Sequence, residues 1–244
     1  QDVAHALLQH HLGVSGFAEY TTVSARSAVR IDADLPPQSA ALFGCAVMTG
    51  VGAVVNTARV QPGESVAVFG LGGVGLAALL GARAASAYPL IAVDVVPGKL
   101  DLARELGASH CLDSREDGFV DSIREISKGG VLHAIESVGN EHVLAQAYAA
   151  TRRGGTTISV GLPPPQRMLS IPAVSLVAEE RTLKGSYMGS AVPGRDIPRF
   201  IAMYRNGLLP VDRLLTHTLA LDDINLGFDR MAAGQAIRQV VVFD

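Results

Sequence analysis

Residues 65–75 read Ser-Val-Ala-Val-Phe-Gly-Leu-Gly-Gly-Val-Gly, and Leu-Ala-Ala-Leu-Leu follows at 76–80. The apolar start predicts a buried strand, the glycines a tight turn, and the apolar continuation a helix. Gly70, Gly72 and Gly75 have Gly-x-Gly-x-x-Gly spacing. There the first glycine turns the chain, the second lets a pyrophosphate approach the backbone, and the third lets the helix pack closely on the strand. The free N–H groups and positive dipole end of the helix favour that anion.

A second apolar run, Leu90-Ile-Ala-Val, ends in Asp94, which lies 19 residues after Gly75. A carboxylate at this strand end can accept both hydroxyls of an adenosine ribose, each charge-assisted bond contributing about 1.5–3 kcal/mol. The same charge repels the extra phosphate of NADP, and no arginine lies between Asp94 and Lys99. The pattern therefore favours NAD. The alternative interpretation is a glycine-rich turn beside a solvated acid.

Lys99 follows Asp94 by five residues at the start of a predicted helix. It either reaches a ribose oxygen of the adenosine or is an ordinary solvated helix lysine, and the pattern leaves both readings open.

The composition is typical of a folded protein with a large core, with 48% hydrophobic and 18% charged residues among 244. A net charge of −3 carries no signature of binding to nucleic acid or to an anionic membrane. Arg83 interrupts the apolar run from Val74 to Ala87, so we expect no stretch long enough to span a membrane. The two cysteines, Cys45 and Cys111, make a disulfide framework unexpected and fit a reducing cytoplasm.

The first residue, Gln1, is neither an initiator Met nor part of a basic and apolar signal sequence. We therefore expect the chain to start inside a longer protein.

The alternation of β-branched runs with helical patterns after residue 65 predicts an α/β fold with a six-stranded, doubly wound parallel sheet. The predicted strands are Ser65–Gly70, Leu90–Asp94, His110–Asp113, Val131–Val138, Thr156–Leu162 and Thr182–Met188. The predicted helices between them are Gly75–Ala87, Gly98–Gly107, Phe119–Ser127 and Glu141–Arg153.

The flanking segments have a different pattern. Residues 17–31 predict β-structure with a turn at Ser24–Ser27. Towards the other end we expect two helices and two strands, at Asp196–Arg205, Leu215–Leu219, Asp222–Ala233 and Ile237–Phe243.

Two further residues could carry chemistry. Cys45 precedes an apolar helix pattern, where a lone cysteine is by default an inert core residue and metal ligation is the alternative. Arg238 begins an apolar strand and is either a solubilising charge at a sheet edge or a clamp for a phosphate. Cys111, inside an apparent strand, is expected to be an inert core residue, and the histidines show no ligand spacing.

Several segments together resemble the zinc-containing medium-chain alcohol dehydrogenases. The likeness extends from about His11 to Phe243 in consistent order. Its segments are His11–Tyr20, Gly44–Gly52, Val68–Gly75, Val160–Pro164, Leu183–Ser190 and Gly234–Arg238. The resemblance implies a Rossmann domain over residues 47–189. It also implies a partial, β-rich GroES-like catalytic domain over residues 1–46 and 190–244.

The resemblance also assigns roles to residues. Cys45 matches one ligand of the catalytic zinc, and Thr49 would lie beside the nicotinamide. The edge strand around Ser186–Gly189 would join two subunits into a homodimer. The cofactor-binding positions fall into three groups. They are Gly70, Gly72, Gly73, Val74 and Gly75 with Arg238 for the phosphates, Asp94 and Lys99 for the adenosine ribose, and Val138, Val160, Gly161 and Leu162 for the nicotinamide or its ribose.

In this family the remaining zinc ligands and the proton-relay residues come from an N-terminal region that the sequence does not contain. Zinc lowers the pKa of a bound oxygen from about 16 to about 7, which corresponds to about 12 kcal/mol of help in forming an alkoxide. Cys45 alone cannot supply a site of three or four ligands. We therefore expect this chain to bind NAD without oxidising an alcohol, and zinc to belong to the longer parent.

Two other functions fit parts of the pattern. A zinc-free quinone or enoyl reductase of the same superfamily is one, although Asp94 and the ligand-like setting of Cys45 disfavour it. A non-catalytic dinucleotide-binding module is the other, because the motifs in the sequence indicate cofactor binding and none indicates catalysis.

Overall fold

Six short strands organise the chain, which a computed structural model describes at Val14 and over residues 16–243. They are β1 (Val66–Phe69), β2 (Leu90–Asp94), β3 (His110–Asp113), β4 (Val131–Glu136), β5 (Thr151–Ser159) and β6 (Thr182–Gly185). All neighbours pair in parallel, in the order β3-β2-β1-β4-β5-β6. The order reverses between β1 and β4, which opens a crevice at the carboxyl ends of the strands. The predicted doubly wound sheet is confirmed.

Helices cover both faces of the sheet, so its central strands are apolar throughout. β1 is buried at all four positions. Val66 and Val68 belong to the core on one face, whereas Ala67 and Phe69 belong to the core on the other, as the two-residue repeat of a strand requires.

A long helix, α1, runs from Pro37 to Ala58 and precedes the sheet. Four helices of the sheet region lie close to their predicted positions, namely α2 (Gly73–Ala84), α3 (Pro97–Glu105), α4 (Phe119–Ile126) and α5 (Glu141–Ala150). A further helix, α6 (Ala173–Ala178), was not predicted.

α1 corrects the expectation that no segment is long and apolar enough to span a membrane. It has 22 residues and a mean hydropathy of 1.6 over its most apolar 18-residue window, by length and composition enough to cross a bilayer. The segment judged from the sequence contained Arg83, whereas α1 carries no charge at all. Of that window, 67% is buried inside the protein. Core helices of folded proteins have this character too.

The C-terminal part consists of α7 (Pro193–Arg205), β7 (Leu215–Leu219), α8 (Ile224–Ala232) and β8 (Arg238–Val241). β7 and β8 pair in parallel as a separate two-stranded sheet. Phe200 of α7 and Leu214 just before β7 lie in the same core as α1 and β1. The core is therefore continuous past residue 190, and the division into domains at that residue stays a prediction.

The expected β-structure at residues 17–31 is wrong. The described structure has no strand there, and only a short 3-10 turn at Ala25–Ser27, which lies at the predicted turn. Phe17, Tyr20 and Val23 are exposed, and none of them belongs to a strand. High β-propensity produces a strand only where the residues pair with another strand and pack one face against a core.

The expected edge strand at Ser186–Gly189 is also wrong. β6 ends at Gly185, and a turn at Tyr187–Ser190 follows, in which Met188 and Gly189 have φ of +50° and +68°. A Cβ at Gly189 would overlap the backbone of α1, so this turn is held against the helix and cannot continue the strand. On this side the sheet ends at the edge strand β6, whose four residues are all exposed.

A buried acid joins α7 to α1. Asp196 is fully buried and accepts hydrogen bonds from Val192 N at 2.8 Å and from Asn56 Nδ2 at 3.3 Å. The Arg195 guanidinium donates to both of its oxygens, at 2.9 and 2.8 Å, and Arg199 lies 3.3 Å away. The hydrogen bonds from Arg195 hold the pKa of Asp196 below its ordinary value of 3.8.

We predict that Asp196→Asn lowers the free energy of unfolding at pH 7 by roughly 1–3 kcal/mol, because a buried charge-assisted hydrogen bond is lost. A lowered pKa in the folded state means that this stabilisation is complete above the ordinary pKa and is lost as the pH falls below it. The difference in the free energy of unfolding between parent and variant should therefore be smaller near pH 3 than at pH 7. Urea unfolding at both pH values measures it.

Asp101→Asn is the matched control, since the exposed Asp101–Arg104 pair contributes little. Equal stability of Asp196→Asn and Asp101→Asn at pH 7 would contradict the role of the buried acid.

Candidate functional site

The glycine turn after β1 has the geometry that its spacing predicts. Gly70 has φ of +86°, and a Cβ there would lie 2.5 Å from Val138 Cγ2. A Cβ on Gly75 would overlap the carbonyl oxygen of Gly70, so this helix position must stay bare for α2 to approach β1. Gly72 has open space around it and is exposed to solvent. The turn, the open approach and the close packing thus occur at the three predicted positions.

The first turn of α2 faces the same opening. Its N-cap is Gly72, and no side chain caps it. The N–H groups of Gly73, Val74 and Gly75 have no intrahelical acceptor, as in the first turn of any α-helix. A 12-residue helix with an uncapped N terminus attracts an anion through these donors and through its dipole.

Asp94, the last residue of β2, closes the other side of the opening. Its carboxylate accepts three backbone N–H bonds, from Leu71 at 2.6 Å, Val95 at 2.8 Å and Val96 at 2.9 Å. The side chain is almost completely buried, with 8% exposure. Asp94 therefore fixes the glycine turn to the tip of β2, a structural role that the sequence did not indicate.

A cavity of about 330 Å³ lies between the glycine turn and the tip of β2. It brings together five of the predicted cofactor residues, namely Gly70, Gly72, Asp94, Lys99 and Val138. Val138 thus lies at the Asp94 end of the site. Its loop also touches the loop after β5, because Gly139 packs against Leu162.

Arg238 reaches this site from β8. Its guanidinium packs on Gly73 at the start of α2, where a Cβ would overlap Nε. That Nε is buried and has no hydrogen-bond partner among the residues that the structure describes, and burial lowers the pKa of the arginine. Here a cation lies against the positive end of a helix and lacks an acceptor. A diphosphate bound at this place would supply the negative charge that both groups lack. The residues present therefore fit a dinucleotide.

Cys45 lies in a second cavity, of about 270 Å³, which it shares with Arg238 and Phe17. Its thiol is free and the residue is exposed, unlike an inert core cysteine. The described residues contain no cluster of three or more His, Cys, Asp or Glu that could hold a metal. His5, His10 and His11 lie outside them. Cys45 and its described neighbours therefore do not form a zinc site by themselves.

The remaining predicted residues are more dispersed. Thr49 is buried in α1, with its hydroxyl 4.0 Å from Met188 Sδ, and lines neither cavity. Val160 is partly buried against the core, and Leu162 is 80% exposed. Cys111 is half-buried, and burial raises the pKa of its thiol.

Four residues of the site escaped the sequence reasoning. Ser137 donates to the carbonyl oxygens of Phe69 and Gly70 at 3.1 and 2.9 Å and so holds the glycine turn from the β4 side. Ser114 and Gln146 line the cavity, and Glu136 lies just behind it. The usable signal was position, because Glu136–Ser137 and Ser114 follow strands at the carboxyl edge of the sheet.

Comparison with known proteins agrees with this geometry. The family described as "Zinc-binding dehydrogenase" matches residues 73–206. The curated S-(hydroxymethyl)glutathione dehydrogenase of Escherichia coli O139:H28 (strain E24377A / ETEC) is 39% identical over 237 residues, which are 96% of this chain and 64% of that protein. The chain thus spans just under two thirds of the length of the curated relatives it matches.

Two solved structures have the same fold over 88% of this chain. An alcohol dehydrogenase zinc-binding domain protein from Burkholderia ambifaria has a TM-score of 0.86 at 36% identity, with 58% of its own chain covered. Benzyl alcohol dehydrogenase from Acinetobacter calcoaceticus has a TM-score of 0.86 at 33% identity, with 59% covered. The chain belongs to the zinc-binding dehydrogenase family and corresponds to the C-terminal region of the zinc-containing medium-chain alcohol dehydrogenases.

Proposed function

We propose that this chain is the NAD-binding part of a zinc-containing alcohol dehydrogenase. The buried Nε of Arg238, which packs on Gly73 at the uncapped start of α2 and has no hydrogen-bond partner among the described residues, is the observation that carries the proposal. Two positive features lie side by side there, and a diphosphate would satisfy both of them.

Each part of the site has a role in holding the cofactor. The turn Gly70–Gly75 and Arg238 bind the pyrophosphate. Asp94 keeps lone pairs beyond its three backbone bonds and accepts from the adenosine ribose, with Lys99 at the same wall of the cavity. NAD, when bound, exchanges a hydride with the carbon of an alcohol or of the corresponding aldehyde or ketone.

For the metal we propose that Cys45 is one ligand and that the others come from outside the described residues. The exposure of this thiol, in a cavity next to Arg238, supports the assignment.

For the substrate we propose a small primary or secondary alcohol, or its aldehyde or ketone. The names of the relatives support this class, since one acts on S-(hydroxymethyl)glutathione and another on benzyl alcohol. The visible cofactor cavity holds no substrate-selective group. We also propose that the protein works in the cytoplasm, where its two free thiols stay reduced.

For the assembly we propose a homodimer that pairs through the free edge of the sheet. The edge strand β6 supports this, because all its residues are exposed and its backbone is open to pairing on one side. Tyr187 and Val177 add exposed apolar surface nearby.

Asp94→Ala should weaken NAD binding at least tenfold and narrow the preference over NADP. The variant loses the ribose acceptor and the charge that repels the NADP phosphate, each charge-assisted bond contributing about 1.5–3 kcal/mol. Isothermal titration with both cofactors measures the effect.

Asp113→Ala is the control for this variant, because Asp113 is the register partner of Asp94 on β3 and does not line the cavity. Parent-like affinities of Asp94→Ala for both cofactors would remove Asp94 from the site, and a preference for NADP in the parent would favour the reductase alternative.

Arg238→Met should bind NAD at least about tenfold more weakly, while the cofactor-free protein stays as stable as the parent or becomes more stable. The charge in the parent is buried without an acceptor, so an apolar side chain of similar length removes a desolvation cost. Thermal unfolding with and without NAD separates the two effects.

Arg213→Met changes the net charge equally at an exposed pair with Glu105 and serves as the control. A large loss of stability in cofactor-free Arg238→Met would mean that the guanidinium has a partner of its own and does not await an anion.

The chain of 244 residues should bind NAD and form no NADH from primary or secondary alcohols. Its described residues contain no cluster of three or more His, Cys, Asp or Glu that could hold a metal, whereas a catalytic zinc needs three protein ligands. NADH absorbance with a panel of alcohols tests this, with the full-length E. coli relative as positive control. Robust turnover by the chain alone would contradict the proposal that catalysis needs further residues.

A further inference from the structure

Glu136, the last residue of β4, is a buried acid that the proposed function does not yet use. It is 1% exposed, and burial raises the pKa of its carboxyl group. Charged residues are almost never this buried without a purpose-built set of partners. The partners of Glu136 are backbone groups of the cofactor site.

Its carboxylate holds the loop after β4. Oε1 accepts from Val138 N at 2.6 Å and from Gly139 N at 2.7 Å. Val138 forms part of the wall of the cavity that contains Asp94, and its Cγ2 faces Gly70. The position of this wall therefore depends on one side-chain oxygen.

The main-chain carbonyl of Glu136 holds the loop after β5. Val160 N donates to it at 2.8 Å and Gly161 N at 3.2 Å. Gly161 and Gly139 approach each other so closely that a Cβ on Gly161 would overlap Gly139. One residue thus ties together two loops at the point where the carboxyl ends of β4 and β5 meet the cofactor cleft.

We infer that Glu136 is a positioning residue, whose carboxylate fixes Val138 and Gly139 and thereby sets the wall against which the adenosine half of NAD binds. The inference rests on the proposed function, since it concerns the same cofactor site. The role needs an acceptor oxygen at this place and does not need a negative charge.

Three variants test this inference. Glu136→Gln keeps an acceptor oxygen, Glu136→Leu keeps the approximate volume without one, and Thr157→Val removes the buried hydrogen bond between Thr157 and Thr151 on neighbouring β5, away from the cavity. Dissociation constants for NAD and for ADP-ribose, together with unfolding free energies, are measured for each.

We expect Glu136→Gln to bind both ligands within about threefold of the parent, and Glu136→Leu to bind both at least about tenfold more weakly, because two buried N–H groups lose their acceptor. Thr157→Val should lose stability and keep its affinities. Parent-like binding by Glu136→Leu, equal losses in Thr157→Val, or a loss for NAD but not ADP-ribose would each overturn the inference.

Amide hydrogen exchange provides a second measurement that does not depend on the folding of Glu136→Leu. The Val138 and Gly139 amides should exchange slowly in the cofactor-free parent and in Glu136→Gln, since a buried acceptor holds them. Exchange at the rate of free amides would overturn the inference. If the parent itself did not bind NAD, that result would instead contradict the proposed function, and this inference with it.

Discussion

The unsatisfied positive charge at the start of α2 is the constraint on which the cofactor site depends. The guanidinium of Arg238 packs on Gly73, and the donors of the first helical turn point towards the same opening. A folded protein normally supplies a buried cation with a carboxylate or a carbonyl. Within the described part of the chain Nε has no such partner, and the diphosphate that we propose would supply the negative charge.

This constraint also explains why the C-terminal segments belong to the site. Arg238 begins β8, which pairs with β7 outside the central sheet. The two-stranded sheet therefore places the Arg238 side chain against α2, a helix much earlier in the sequence. Since Arg238 also lines the cavity of Cys45, the phosphate region and the thiol share one wall. The fold thus places the proposed phosphate site next to the proposed metal ligand.

Sequence reasoning worked where a physical pattern had one structural solution. Leu90–Asp94 and His110–Asp113 were predicted with their observed bounds, because short apolar runs between helices have few alternatives in a parallel sheet. Residues 17–31 failed because β-propensity alone does not make a strand, and most of their β-branched and aromatic residues are exposed. Ser186–Gly189 failed because Met188, a residue with a side chain, adopts a left-handed conformation that no local pattern announces.

The site was predictable in its residue types and less so in their connections. The glycine spacing and Asp94 located the opening, and Gly70, Gly72 and Asp94 do line one cavity. The hydrogen bonds that hold the glycine turn could not be read from spacing, because they join positions far apart in sequence. Leu71 N to Asp94 and Ser137 Oγ to the carbonyl oxygen of Gly70 are the examples. Burial of Arg238, likewise, depends on tertiary packing.

The three backbone bonds to Asp94 have a consequence for redesigning the cofactor preference of this enzyme family member. Removing the acid to admit a larger, more negative nucleotide also detaches Leu71 from the tip of β2. The two requirements conflict at one side chain. A variant that prefers NADP must keep a short neutral hydrogen-bond acceptor at position 94 for the Leu71 amide. The cation that binds the added phosphate must be introduced elsewhere, beyond Val96.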